Sequence, residues 1–373
     1  MRWNWQHKNW PNFEYSLEGL PSYEAKFFER IGVLRGSLKH LAANEKDELK
    51  VVLISNEAYK SSEIEGEILD RNSLQSSIRR QFGMRGEMVK GRPAEYGISE
   101  MMVSLYKTFQ EELSHDQLFE WHSMLMNGRR DLSNIGGYRT HAEPMQIVSN
   151  VMNAPVVYFE APPSESVPEE MDQFIDWFNQ TAPGMPKELD GLLRSSIAHL
   201  YFESIHPFED GNGRIGRAIS EKALAQAVGE PTLLALAHTV ELRRKEYYNL
   251  LHKNSQDLDI QSWLEFFIEV ILDSQTYTLG LIDFLIEQNR FYFKFDDLLN
   301  DRQKKVVKRI FKEGVNDFEG GLSSGNYQRI TSSSPATATR DLKELVEMGA
   351  FKREGKGKYR RYYLNIQRPL SWK

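Results

Sequence analysis

Apolar residues recur at three- and four-residue spacing through most of the chain, the period of helices with one buried face. "EYSLEGLPSYEAKFFERIGVLRGSLKHL" carries this pattern after Pro21. "ELKVVLISNEAYKSSEIEGEIL" predicts a helix broken near Gly66, and "QLFEWHSMLMNG" a short helix closed by Gly128. The texture changes in "NIGGYRTHAEPMQIVSNVMNAPVVYFEAPPSESVP". Two β-type pieces there, Met145–Ser149 and Val156–Phe159, predict a hairpin that ends at a Pro-rich stretch. Helices resume in "EEMDQFIDWFNQ" and "LDGLLRSSIAHLYFESI", then in "AISEKALAQAVG" and "ELRRKEYYNLLHKN". "IQSWLEFFIEVILDSQTYTLGLIDFLIEQ" is long and apolar on one face. Beyond Asn289–Asp297 the composition turns basic and β-rich, which predicts a domain boundary there.

Composition changes this picture in three ways. The 373 residues exceed one ordinary core, so two or three domains are expected. The absence of Cys excludes disulfides, thiolate metal sites and a Cys nucleophile. No apolar run is long enough to span a membrane, and "MRWNWQHKNW" has no apolar core of a signal peptide, so a cytoplasmic protein is expected. The net charge of −6 is unevenly spread: Leu322–Lys373 holds eleven Lys/Arg against four Asp/Glu, and the rest of the chain is acidic. Only the tail therefore suits a polyanionic partner.

The densest chemistry lies in "SIHPFEDGNGRIGRAIS", Ser204 to Ser220. Leu192 to Ile205 reads as a helix that Pro207 ends. A second helix begins near Asn212–Arg214, so its first amides and the positive end of its dipole point into the loop. Arg214 and Arg217, three apart, add two guanidinium forks, which together with the amides suit a polyphosphate. Asp210 suits a divalent ion that phosphates also bind, and His206 is the natural general base. A calcium loop starting at Asp210 fails because Ile215 stands where that loop needs Gly, and a Walker loop fails for lack of Gly-Lys-Ser/Thr.

"HPFEDGNGRIGR" resembles the signature of the Fic family, His-Pro-Phe-x-Asp/Glu-Gly-Asn-x-x-x-x-Arg, at every fixed position. "GGYRTHAEPMQIV" with "APPSESVP" is similar to the family's flap region, and "AHLYFESI" to its preceding helix; the likeness spans about Gln117 to Asn254. It implies a mainly α fold, a helical bundle with a small β-hairpin flap, and transfer of AMP from ATP, with Mg2+, to a Ser, Thr or Tyr hydroxyl of a target protein. By that resemblance His206 takes the hydroxyl proton, Phe208 anchors the loop and Asp210 binds magnesium. Gly211, Asn212 and Gly213 form the anion hole, Arg214 pairs with the phosphates and Arg217 holds the γ-phosphate. Gln146, Ile147 and Val148 belong to the flap, along which an extended target segment adds as a strand. Tyr247 and Tyr248 are expected near adenine, with a plain structural role as the equal reading.

"SSEIEG" resembles the family's inhibitory pattern, with Ser61, Glu65 and Gly66 in the fixed places. The expectation is that the Glu65 carboxylate takes the bond on Arg217 that the γ-phosphate needs; in related proteins such a Glu orients water for AMP removal. The aromatic start, with Trp3, Trp5 and Trp10, is expected to pack on the core. In the tail, "LNDRQKKVVKRIF" is an amphipathic helix, and Ser334, Pro335 and Gly349 cap and close a second one whose buried stripe is Ala338, Leu342, Leu345 and Val346. With "AFKREGKGKYRRYYLNI" as two strands, this resembles the winged-helix DNA-binding modules of bacterial regulators. The resemblance puts Thr337, Thr339, Arg340 and Lys343 toward a major groove and Lys356, Lys358 and Arg360 on phosphates of duplex DNA. The expected domains are 1–90, 91–288 and 289–373; Fic proteins and winged helices both often pair, so a homodimer is compatible. The rival functions are AMP removal at the same site and a nucleotide-responsive DNA-binding regulator.

Overall fold

The computed structural model describes residues 2–39, 41–86, 88–148, 157–312 and 320–367. The chain divides into two compact units, Met1–Gln275 and Thr276–Lys373. The division falls inside one long helix rather than at the change in composition near residue 289.

The first unit is built of helices. In chain order they are α1 (Leu20–Lys39), α2 (Ala43–Ile64), α3 (Arg71–Gln81), α4 (Pro93–Thr108) and α5 (His115–Leu125). A hairpin of β1 (Gln146–Val148) and β2 (Val157–Glu160) follows. Then come α6 (Val167–Gln180), α7 (Gly191–Ile205), α8 (Asn212–Val228), α9 (Leu236–Leu242), α10 (Arg244–Asn254) and α11 (Gln261–Phe295), which crosses into the second unit. The predicted strand ends Ser149 and Val156 lie outside the described residues.

Helix α7 is the centre of this unit. The Asp190 carboxylate caps it, accepting from the Leu192 and Leu193 amides at 2.8 and 3.2 Å. Nearly every residue from Gly191 to Ile205 is buried, so the helix is surrounded rather than one-sided. Ser195 and Ser220 donate to each other's carbonyl oxygens at 3.0 Å and fasten α7 to α8 with no orphaned hydroxyl. Trp121, Phe174, Phe178, Tyr201, Phe202 and Phe208 form the densest part of the core around it. Each such side chain contributes roughly 1.5–3 kcal/mol by leaving water.

The second unit holds α12 (Asp301–Lys312), α13 (Ser324–Thr331), α14 (Pro335–Glu347) and the antiparallel pair β3 (Phe351–Glu354) and β4 (Arg361–Leu364). Ser334 caps α14 through the Thr337 amide at 3.2 Å, with Pro335 in the first turn. Ala338, Leu342 and Leu345 are fully buried, while Val346 packs at the edge. One residue of this buried face is not apolar: Asp341 is fully buried and accepts from Arg302 Nε at 2.7 Å and the Tyr327 hydroxyl at 2.9 Å. No helix among the described residues is long and apolar enough to cross a membrane.

Candidate active site

The loop between α7 and α8 begins with an unusual backbone. His206 closes α7 in the left-handed conformation, φ 51° and ψ 58°, a region that non-glycine residues enter at a cost. What over-determines it is Arg139, which is almost fully buried. Its guanidinium donates to the carbonyl of His206 at 2.9 Å, to that of Pro162 at 2.5 Å and to the Ser164 hydroxyl at 2.8 Å. The Arg139 amide also donates to the Pro207 carbonyl at 2.9 Å. Burial lowers the Arg139 pKa, to about 10, and leaves it charged at neutral pH.

Two further devices shape the loop. Asn212 spans it from inside, accepting the Phe208 amide at 3.0 Å and donating to the Phe208 carbonyl at 2.8 Å. Phe208 is fully buried and stacks on His122 with ring centroids 4.2 Å apart. Burial pushes the His122 pKa down to about 4, so the stacked ring is neutral. Gly211 starts α8 at φ 87°, and a Cβ there would stand 2.9 Å from the Met126 methyl, so neither backbone nor neighbours admit a side chain. Helix α8 then opens at Asn212 with its first amides facing the loop.

Both arginines of α8 are buried and already carry carboxylates. Arg214 donates to Glu67 at 2.9 Å and to Asp210 at 3.2 Å. Arg217 donates to the Ser61 hydroxyl at 3.0 Å, to the Ser61 carbonyl at 2.8 Å and to Glu65 Oε1 at 2.8 Å. Burial works against the charge of Arg217, but Glu65 and neighbouring Tyr247 more than offset it and its pKa is raised. Glu65 approaches so closely that a Cβ on Gly213 would stand 2.2 Å from its Oε1. The end of α2 is itself held: Arg244 and the Tyr248 hydroxyl donate to the Ile64 carbonyl at 2.6 and 3.4 Å.

Asp210 lies between Arg129, 2.6 Å from its Oδ2, and the Gly211 amide, 2.6 Å from its Oδ1. Burial pushes the Asp210 carboxyl up, yet the guanidiniums of Arg129 and Arg214 hold it below the usual range, so it is an anion. Among the described residues no group of three or more His, Cys, Asp or Glu side chains converges on a metal position. The donor set is one anionic carboxylate, which fits an ion that takes its other ligands from phosphates and water.

His206, Asp210 and the first residues of α8 line a cleft of about 1090 Å³ together with Glu65, Ile147, Val148 and Tyr248. Arg244 and Lys245 add positive charge to its wall. Tyr247 reaches the cleft but is 1% exposed and its hydroxyl is bonded to His199 at 2.7 Å, whereas Tyr248 is 41% exposed. In the flap, Gln146 pairs with Glu160, Ile147 with Phe159 and Val148 with Val157. The sheet has two strands, and Ile147 and Val148 are exposed. Strand β2 is fixed from behind. Trp3 packs edge-on against Phe159, Trp5 Nε1 donates to the Glu160 carbonyl at 2.7 Å, and Asn4 Nδ2 donates to Ser204 on α7 at 2.8 Å. Trp10 sits edge-on against Tyr201.

In the second unit Thr339, Arg340 and Lys343 are exposed and Thr337 is half-buried under the Ser334 cap. Arg340 and Lys343 face Glu344 and Glu347 one turn on, at 3.8 and 3.5 Å. Lys356 and Arg360 are exposed; the side chain of Lys358 lies outside the described residues.

Four participants carried no signal in the local pattern: Arg129, Arg139, Glu203 and Arg244. Arg139 stands inside "GGYRTHAEPMQIV", but nothing in the spacing says that it reaches the backbone of His206. Glu203 lies one turn before His206, with 3.6 Å between Glu203 Oε2 and His206 Nδ1.

Comparison with known proteins agrees with this geometry. Residues 112–224 match the Fic/DOC family, and residues 3–84 match a domain described as "Domain of unknown function (DUF4172)". Over 198 residues the chain is 25% identical to protein adenylyltransferase fic-1 of Caenorhabditis elegans, covering 52% of this chain and 35% of that protein. Over 212 residues it is 22% identical to protein adenylyltransferase Fic of Nematostella vectensis, covering 56% and 44%. The aligned part thus spans less than half the length of these curated relatives. Its fold is shared with a Fic family protein from Desulfovibrio desulfuricans G20, with a TM-score of 0.55 and 22% identity over 95% of this chain and 98% of that one. A left-handed His at the end of one buried helix, an amide-lined start of the next and a family match across both show that residues 112–224 of this chain carry a Fic/DOC-family domain.

Proposed function

We propose that this protein is an adenylyltransferase that moves AMP from ATP to a Ser, Thr or Tyr hydroxyl of a target protein, and to itself, and that Glu65 restrains it. The observation that carries the reading is the convergence of His206, Asp210 and the first turn of α8 on one cleft beside the exposed edge of the flap.

In this mechanism the triphosphate lies against the amides of Gly211, Asn212 and Gly213, with Arg214 and Arg217 as its cations. The target hydroxyl oxygen attacks the α-phosphorus, a new O–P bond forms, and the bond to the bridging oxygen of the β-phosphate breaks. The hydroxyl proton passes to His206, and pyrophosphate leaves with the electron pair of the broken bond. Asp210 is the residue that would hold magnesium, which when bound neutralises charge on the phosphates. The outer edge of β1 suits an extended target segment, added through main-chain hydrogen bonds.

Restraint follows from occupancy. Arg217 has its Glu65 bond at 2.8 Å, and the γ-phosphate would compete for the same guanidinium. Because Glu65 lines the same cleft as His206, AMP removal with Glu65 orienting a water is the second reading. Mass spectrometry after incubation with ATP and magnesium tests both, using the parent, Glu65→Gly and His206→Ala proteins. We expect a gain of one AMP on the Glu65→Gly protein, and a loss of roughly 10²–10⁴ in rate when His206→Ala is added. No AMP on any variant overturns the transferase reading. Removal of AMP from a modified substrate by the parent, but not by Glu65→Gly, selects the second.

A further inference from the structure

Glu203 is a charged residue in a place that local structure does not require. It lies near the end of α7, where its neighbours Phe202, Ser204 and Ile205 are buried, and its own side chain is 11% exposed. Among the described residues its Oε1 has no hydrogen-bond partner, and neither has His206 Nδ1, which lies 3.6 Å from the other carboxylate oxygen, Oε2. A carboxylate held this way costs free energy that an apolar side chain would not. Two unsatisfied groups of matching polarity therefore face each other, a few tenths of an ångström beyond hydrogen-bonding distance. Contacts of this kind lengthen in empty sites and tighten once substrate is bound.

We propose that Glu203 is a positioning residue for His206: it accepts the Nδ1–H of the imidazole, fixes that tautomer, and so leaves the Nε2 lone pair to receive the hydroxyl proton. The inference rests on the transferase reading for its consequence, though not for its geometry. Once the proton has moved, both ring nitrogens carry protons and the ring is a cation; Glu203 remains a carboxylate and steadies it. Its ionised state agrees with its surroundings. Burial pushes the Glu203 carboxyl up, but His206, His199 and Arg217 hold it below the usual range. The charged and titratable groups facing it come from α7 itself (His199), from the loop (His206), from α8 (Arg217) and from α10 (Tyr247 and Tyr248). Of these, Arg217 bonds Ser61 and Glu65 and His199 bonds Tyr247, though each keeps one nitrogen without a partner among the described residues; His206 is the group whose nitrogen lies 3.6 Å from the Glu203 carboxylate. His206 has a left-handed backbone, and Arg139 holds that backbone through the His206 carbonyl.

The competing role is structural: a counter-charge for Arg217. The two differ in what they move. In the full-length Glu65→Gly protein, adding Glu203→Gln is expected to lower kcat for AMP transfer by about 10- to 100-fold, the usual loss when the partner of a working His is removed. KM for ATP stays unchanged, and the acid limb of the pH–rate profile shifts to lower pH by roughly one unit. A raised KM with kcat and profile unchanged overturns the proposal in favour of Arg217. Nitrogen-15 spectra of the histidine rings, with His206 assigned by His206→Ala, supply a readout independent of activity. The parent is expected to show the Nδ1–H tautomer, and Glu203→Gln a mixture of both. An Nε2–H tautomer in the parent, or no change on Glu203→Gln, overturns the proposal even where no AMP transfer is found, so its failure is distinct from failure of the transferase reading.

Discussion

Two Arg–carboxylate pairs in this molecule have opposite burial. In the cleft, Arg217 is the hidden partner at 2% exposure, and Glu65 reaches it from the cleft side at 29%. In the second unit, Asp341 is the hidden partner at 0%, and Arg302 covers it at 39%. Both pairs are made of the same groups at nearly the same distance, 2.8 and 2.7 Å. They differ in what replaces a lost partner. Around Asp341 there is packed core and the Tyr327 hydroxyl, so the pair fixes α12, α13 and α14 to one another. Glu65 itself lines a cleft of about 1090 Å³, so its carboxylate faces open space rather than packed core. On the proposed reading a buried cation under an anion that borders the cleft is an exchange site, whereas a buried anion under a cation is a fastening.

The comparison makes its largest claim about stability. Asp341→Ala is expected to cost about 1–3 kcal/mol, because it strands the buried Tyr327 hydroxyl, and to lower the thermal midpoint by several degrees. Glu65→Ala is expected to cost less, since Arg217 keeps its bonds to the Ser61 hydroxyl and carbonyl. Equal losses in calorimetry would break the distinction.

Next comes activity. Glu65→Gly is expected to raise AMP transfer by roughly tenfold or more, a shift of about 1.4 kcal/mol in occupancy of Arg217. Asp341→Ala should leave the rate as it was. No rise with Glu65→Gly, measured with ATP labelled at the α-phosphate, removes the restraint from the reading.

A third acid sharpens the contrast because it has neither kind of partner. Glu57, two turns before Glu65 on α2, accepts the Ala237 amide at 2.7 Å, and burial pushes its pKa up to about 8. Burial likewise pushes Glu221 on α8 up to about 7. The folded state keeps protons that the unfolded chain gives up near its ordinary value of about 4.5. These groups therefore leave stability whole below that value and erode it as pH rises toward 8. Thermal midpoints between pH 5 and 9 should fall with pH, and Glu57→Gln should flatten the slope. An unchanged slope sinks that account.

The smallest effect concerns the tail. On α14 the exposed Arg340 and Lys343 each face an acid of the same helix, so the net field of that face is weak. If the tail meets duplex DNA, full-length protein should bind it weakly, with affinity falling as salt rises; affinity indifferent to salt argues against phosphate contacts.

Much of this was legible in the chain. Helix α7 was expected from Leu192 to Ile205 and runs from Gly191 to Ile205; α8 was expected to start near Asn212 and does. These follow from apolar spacing and a Pro stop, both local signals. The pairing of α2 with Arg217 was approached through a motif, because periodicity says nothing of what a helix end touches. Arg129 and Arg139 were not legible, since they act on residues 81 and 67 positions away. Tyr247 and Tyr248 are both expected near adenine; that the Tyr247 hydroxyl bonds His199, 48 residues away, is not visible in the local pattern. In the tail, the buried Asp341 breaks an otherwise apolar stripe, and only the fold reveals Arg302 and Tyr327 as its company.

One detail of the flap reaches further than its size. Its inner strand hangs from Trp3 and Trp5, and Asn4 between them is tied to the helix that ends in His206. On the proposed reading, a guest strand laid on the outer edge would pull on a ledge bolted to the helix that presents His206. Slackening those three residues should misplace the incoming alcohol relative to the imidazole without altering how ATP is gripped.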